Sequence, residues 1–229
     1  MTPSPDPHPG GDSGWRRLEL GSAGRVPILD EEALGRIEAQ FEDAEARGIR
    51  AILLTGGGGE VFAAGADLRR LRGLDPPAAL RFARYGQYVF DRVASFPGVV
   101  IVVVNGRCIG GAFDLVLACD IRLGGPRARF EHPGPRLGFI TGYGGTDRLT
   151  RACPGAAAAV LAGARALDAR AALSLGLLAK IHGVDELDAQ AESLAFRVSR
   201  AATDRTRRIK DIIRGRGFPG GWSPGARGA

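Results

Sequence analysis

The sequence predicts an α/β fold whose C-terminal third is mainly helical. Two short apolar runs bounded by turn residues, Ile49–Leu54 and Val99–Val104, alternate with longer segments whose apolar residues recur at helical spacing. From Asp147 onward the chain reads as mainly helices. With 229 residues, 45% of them apolar and 24% charged, the chain is long and apolar enough for a substantial core.

Residues 1–14 are rich in Pro, Gly, Ser and Asp and read as a disordered tail. Arg16–Leu20 alternates weakly, and Arg25–Leu29 is its expected partner across Gly21-Ser22-Ala23-Gly24. Asp30 is the expected N-cap of a helix to Arg47, with Leu34, Ile37, Phe41 and Ala44 on one face and Gly48 at its end. After the strand Ile49–Leu54 comes a glycine-rich loop, Thr55–Ala66, then Asp67 and a short basic turn. Pro76-Pro77 opens a second amphipathic helix, carrying Leu80, Tyr85, Val89 and Val93, that stops before Pro97. Val99–Val104 reads as a strand buried on both faces, and Gly110-Gly111-Ala112 leads into a helix ending near Cys119. Short strands follow at Asp120–Leu123 and Ala128–Phe130. Beyond a Gly/Pro-punctuated segment lie a turn near Arg151 and helices over 154–162, 168–175 and 185–202. The expected organisation is an α/β core over 15–183, a helical region over 184–214 and a second disordered tail over 215–229.

Several function classes are disfavoured. MTPSPDPHPG has no apolar core of a signal peptide, and no apolar run approaches the ~20 residues of a membrane span, so a cytoplasmic protein is expected. Three cysteines (Cys108, Cys119 and Cys153) are an odd number without ligand spacing, which argues against a disulfide framework and a metal site. There is no GxxxxGK[ST] and no GxSxG, and TGGGGE runs on into FAAGAD instead of opening a long helix as a dinucleotide loop would. The basic residues are not interleaved with aromatics, so nucleic acid is not an expected partner. A net charge of +6 suits a phosphorylated ligand.

The chemistry-bearing residues cluster in two glycine-rich loops, 56–66 and 105–112, each following a buried strand. If neighbouring parallel strands bring the loops together, one backbone N–H from each aims at a single oxygen and forms an oxyanion hole; otherwise the glycines only make tight turns. Asp114 lies about one helical turn beyond Gly111 and either moves protons or complements the helix dipole. Asp67 reads as a helix cap and Asp120 as a local partner of Arg122 or Arg148. His132 is the one histidine in a potential functional loop, since His8 lies in the tail and His182 in a connection. Tyr143 sits near glycines and either faces a pocket or packs.

VFAAGADLRRL, VVNGRCIGGAFDLVLACDIRL and LGFITGYGGTDRLTR, in that order, resemble the motifs of the crotonase superfamily of enoyl-CoA hydratases and isomerases. GARALDARAALSLGLLAKI resembles the helices that follow them, so the likeness runs over about Ala51–Leu178. It implies a spiral of ββα units, helices used in trimer or hexamer formation, and an acyl-CoA substrate in fatty-acid metabolism with no further cofactor. It implies oxyanion donors at the backbone N–H of Ala66 and Gly111, a catalytic carboxylate at Asp114, and substrate contacts at Ala64, Asp67, Leu68, Gly110 and Tyr143. Aspartate at 114 is more like dienoyl-CoA isomerases than typical hydratases. The second hydratase carboxylate aligns on Gly134, so His132 or Tyr143 is the candidate for a second group. Val26-Pro27-Ile28 replaces the usual stretch near the adenine, and Arg205, Arg207, Arg208, Lys210 and Arg214 either reach CoA phosphates or form a solvated face. The implied activity is isomerisation or hydration of an unsaturated acyl-CoA. The alternatives are a non-catalytic acyl-CoA binder or assembly subunit, and an acyl-CoA decarboxylase or hydrolase.

Overall fold

The computed structural model describes residues 14–21, 25–57, 59–163, 165–201 and 203–214. The two expected tails lie outside these residues, apart from Gly14. A five-stranded parallel sheet has the order β1 (Trp15–Glu19), β2 (Ala51–Thr55), β4 (Val99–Val104), β6 (Ile121–Gly124) and β9 (Lys180–Ile181). A second sheet has the order β3 (Val61–Ala63), β5 (Arg107–Ile109), β7 (Arg129–Glu131) and β8 (Leu167–Asp168), with only β8 antiparallel.

The chain builds both sheets together. From β2 onward each turn lays one strand in the large sheet, steps into the small one, and in the first two turns returns through helix. The helices are α1 (Glu31–Ala46), α2 (Leu68–Arg72), α3 (Pro76–Ser95), α4 (Gly111–Ala118), α5 (Gly145–Ala152), α6 (Ala157–Leu161), α7 (Ala169–Ser174), α8 (Val184–Ser199) and α9 (Thr203–Ile213). None of the described helices is long and apolar enough to cross a membrane.

The unbroken apolar run of β4 is explained by burial on both faces. Val100, Val102 and Val104 join the main core with Leu34, Phe41 and Phe90, whereas Ile101 and Val103 pack under Leu187, Ala191 and Ala195 of α8. Asp30, Asp67 and Asp75 cap α1, α2 and α3 by accepting from backbone N–H groups.

Four expectations about the elements are corrected, and one about an ion pair follows. First, Arg16–Leu20 and Arg25–Leu29 do not form a hairpin. β1 pairs in parallel with β2, Leu18 beside Leu54, and Ile28 bridges Ala64 of the other sheet. The crossover through α1 buries Leu18 beneath that helix, which an isolated hairpin cannot do. Second, the glycine-rich loops contain β3 and β5, three-residue strands too short to show a period of two. Third, the buried face of α3 is Phe82, Gly86, Val89, Phe90 and Val93, and Leu80 is exposed. Fourth, Gly145–Ala152 is a helix and not a turn.

Asp120 does not pair with Arg122 or Arg148. Arg122 donates to the carbonyls of Leu177 and Cys119, and Arg148 to the carbonyl of Tyr143 and to Asp91. Asp120 instead accepts from Arg214 at 2.6 Å, from Lys210 at 2.8 Å and from the Val100 amide at 2.8 Å. Lys210 also donates to the carbonyls of Phe96 and Gly98 at 2.6 Å. Burial pulls the Lys210 pKa below its ordinary value, and Asp120 partly opposes that shift. Two of the five cations considered for CoA phosphates therefore pin α9 to the core.

Candidate active site

β3 lies against β5 with Val61 opposite Arg107, so the loops that leave these strands run side by side. Gly65 presses on Gly111 so closely that a Cβ at Gly65 would stand 2.4 Å from the Gly111 nitrogen. A glycine at 65 keeps that N–H uncovered. Gly110, at φ +60°, turns the chain into α4 while its own N–H donates to the Glu131 carbonyl at 2.8 Å. The N–H groups of Ala66 and Gly111 meet no acceptor among the described residues. Both residues line one cavity of ≈ 420 Å³.

The same cavity is lined by Ala64, Leu68, Gly110, Asp114, His132, Gly134, Thr141 and Tyr143, among mostly apolar neighbours. Asp114 is fully buried in the first turn of α4. Its Oδ1 lies 2.8 Å from His132 Nε2, and its Oδ2 accepts from the Thr141 hydroxyl. The His132 ring stacks on Phe113 with centroids 5.4 Å apart. α4, the end of β7 and the segment after the 3-10 turn at Gly134–Leu137 thus converge on one carboxylate.

Asp67 is the sequence candidate that the structure sets apart. It does not line the cavity, and its carboxylate accepts from the Arg69 amide at 2.8 Å as the cap of α2. Glu131 also turns away, because alternate residues of β7 face opposite sides; it accepts from Arg107 at 2.6 Å. Gly134 does reach the cavity, but a Cβ there would approach the Phe139 carbonyl oxygen to 2.7 Å, so the local backbone has no room for a side chain.

Of the two alternatives open to Tyr143, a hydroxyl facing the pocket or a packed ring, the structure shows the packed ring, which also borders the cavity. That ring packs edge-on against Phe82 and Phe90, at centroid distances of 5.6 and 5.3 Å. It sits where a Cβ on Gly86 or Gly111 would lie 2.2 or 2.8 Å from ring carbons. The hydroxyl is buried without a partner, and burial pushes its pKa well above the ordinary tyrosine value. Thr141 is the residue that sequence reasoning missed. One hydroxyl between Ile140 and Gly142 carries no signal until the fold sets it against Asp114.

The family model described as enoyl-CoA hydratase/isomerase matches residues 28–216. A crotonyl-CoA hydratase of Syntrophomonas wolfei is 34% identical over 151 residues, which are 66% of this chain and 58% of that protein. A short-chain-enoyl-CoA hydratase of Clostridium acetobutylicum is 34% identical over 166 residues, 72% of this chain and 61% of that protein. The crystal structure of an enoyl-CoA hydratase from Bacillus anthracis superposes with a TM-score of 0.82 at 27% identity, covering 88% of this chain and 79% of that one. The matched region spans about three fifths of the length of these two curated relatives.

Proposed function

This chain belongs to the enoyl-CoA hydratase/isomerase family, and from that premise we propose that it binds an acyl-CoA thioester and stabilises the enolate formed when a carbon-bound proton leaves. The observation that carries this reading is the pair of unengaged amides, Ala66 and Gly111, opening on the cavity that holds Asp114 and His132. The thioester oxygen sits between the two N–H donors. Charge that grows on that oxygen during proton removal meets fixed dipoles in an apolar surrounding, where they act more strongly than in water. The buried Asp114–His132 pair accepts the proton. Ala64, Leu68, Gly110 and the Tyr143 ring shape the walls around the acyl group.

One acid/base centre is sufficient to move a proton between two carbons, so isomerisation of an unsaturated acyl-CoA is the first reading. Hydration is the second, favoured by the names of the curated relatives; here the pair activates a water without a carboxylate at Gly134. The acyl-CoA is the only organic partner this chemistry requires, and no separate cofactor enters it. The reading also includes a cytoplasmic location and a homotrimer or hexamer; exposed Phe196, Ile209, Ile212 and Ile213 on α8 and α9 support the oligomer.

The test is incubation of a panel of acyl-CoA thioesters in heavy water, followed by mass spectrometry. A matched thioester gains deuterium with the native chain and not with Asp114→Asn. Equal exchange by both proteins would remove Asp114 from the reaction. A thioester that is bound but neither exchanged nor converted across the panel would make the protein a binder only. Loss of carbon dioxide or of CoA would reassign it to decarboxylation or hydrolysis.

A further inference from the structure

The proton transfer of the preceding reading, on which this inference rests, needs one atom to meet the substrate carbon. The geometry points to His132 Nδ1 as that atom, with Asp114 as a positioning residue behind it. Asp114 has no accessible surface. Its Oδ1 is taken by His132 Nε2 and its Oδ2 by the Thr141 hydroxyl. Gly145 closes a third side, so tightly that a Cβ there would lie 1.7 Å from Oδ1. The residue borders the cavity, but a carboxylate enclosed in this way presents no accessible surface to a substrate carbon.

His132 is enclosed differently. Its Nε2 meets Asp114, and its Nδ1 has no hydrogen-bond partner among the described residues. The buried unpaired side-chain atoms among those residues are Arg17 Nε, Asn105 Oδ1 and the Tyr143 hydroxyl, and His132 Nδ1 is not one of them. The His132 side chain is buried but keeps 4% of its surface accessible where Asp114 keeps none, and it lines the cavity, so Nδ1 is the ring nitrogen left to face it. An ionised carboxylate accepts and cannot donate, so the neutral imidazole carries its proton on Nε2 and keeps the Nδ1 lone pair as a base. Phe113, stacked at an interplanar angle of 29°, holds the ring plane.

Thr141, Asp114 and His132 thus form a line that ends at the cavity. The logic is that of a buried carboxylate orienting an imidazole and stabilising its charged form. Here the acid it serves is carbon. His132 Nδ1 takes a proton from the carbon next to the thioester carbonyl as the C–H bond breaks. The electron pair moves into the thioester and places negative charge on its oxygen, between Ala66 and Gly111. The imidazolium then trades its N–H with water and delivers the solvent proton to the same carbon in exchange, or returns its proton to the γ-carbon of a β,γ-enoyl chain in isomerisation. Atoms and electrons balance with solvent water as the only further reactant.

The experiment follows hydrogen exchange at the α-carbon of butanoyl-CoA in heavy water with the native chain, His132→Ala and Asp114→Asn, each with and without free imidazole. Imidazole-¹⁵N spectra of the native chain and of Asp114→Asn accompany it. His132→Ala should lose exchange by about 10³-fold or more, with added imidazole restoring at least a tenth of the native rate. The native spectrum should show the Nε2–H tautomer, and Asp114→Asn should shift it to Nδ1–H, a change that loss of packing alone does not produce. Exchange by folded His132→Ala within tenfold of native would overturn the assignment, because the base would then be Asp114. If His132→Ala does not fold, the native spectrum decides: Nε2–H upholds the assignment and Nδ1–H overturns it. Native chain that binds butanoyl-CoA without exchanging it would instead overturn the enolate reading beneath the proposal.

Discussion

Asp114 lies in the first turn of α4 and Asp120 just beyond its end, and the fold treats these two carboxylates in opposite ways. Asp120 is held by two cations and an amide: Lys210 of α9, Arg214 just beyond its end, and the N–H of Val100. Asp114 is held by an imidazole and a hydroxyl, and those partners open on a cavity. A carboxylate matched by fixed cations is a fastener, because its protonation has nowhere useful to go. A carboxylate matched by an imidazole, which can both take and give a proton, is suited to proton movement. Burial alone does not separate structure from chemistry; the chemistry of the partner does.

The largest expected contrast comes from removing each charge in turn. Asp114→Asn should lower acyl-CoA proton exchange by about 10⁴-fold, the order seen when the orienting carboxylate of a catalytic imidazole becomes an amide. The folded fraction of Asp120→Asn should keep its exchange rate. Single-turnover assays on both variants check the contrast, and equal losses would dissolve it. Asp120→Ala should instead lose about 3–5 kcal/mol of stability, since it leaves the Lys210 ammonium buried without its carboxylate. Urea denaturation followed by circular dichroism measures that loss, and a drop under 1 kcal/mol would remove the fastener role.

Between the two ends stands Gly65→Ala. Its Cβ would fall on the Gly111 amide, and exchange should fall by about 10²–10³-fold while stability changes less than in Asp120→Ala. Exchange rates and urea midpoints measured on one preparation compare the two effects. Thr141→Val removes one hydrogen bond to Asp114 and should slow exchange by about tenfold. A pre-steady-state assay resolves that change.

The smallest effect is a pH trend confined to the Asp120 end. Burial first of all lowers the Lys210 pKa from 10.5, with Asp120 opposing. Between the lowered folded value and the unfolded one, the unfolded chain binds more protons, so this position adds stability as pH rises. Urea midpoints over the alkaline range should rise less steeply, or fall more, in Lys210→Met than in the native chain.

Much of this architecture was legible in the residues. The all-apolar run Val99–Val104 is a central strand because nothing else accepts six consecutive β-favouring side chains between two turns. Asp30 and Asp67 announced α1 and α2, because a cap acts on amides two or three residues away. The motifs around Ala66, Gly111 and Asp114 named the family, which the match over residues 28–216 shows. Local patterns failed where the deciding contacts are distant. β1 resembled half a hairpin until Leu18 was set beside Leu54, and the three-residue strands lay inside glycine-rich loops.

The sequence by itself determined the alternation of strand and helix, the two glycine-rich loops and the identity of the acid at 114. These rest on periodicity, capping and turn chemistry, which act over a few residues. Only the tertiary structure decided which partners each acid keeps. Asp120 reaches Lys210 and Arg214, and Asp114 reaches His132 and Thr141, across separations that no local pattern encodes. Those partners differ because the two ends of α4 open on different surroundings, one on the packed base of α9 and the other on a cavity. An aspartate's function is set by what the fold places within hydrogen-bond reach of its two oxygens.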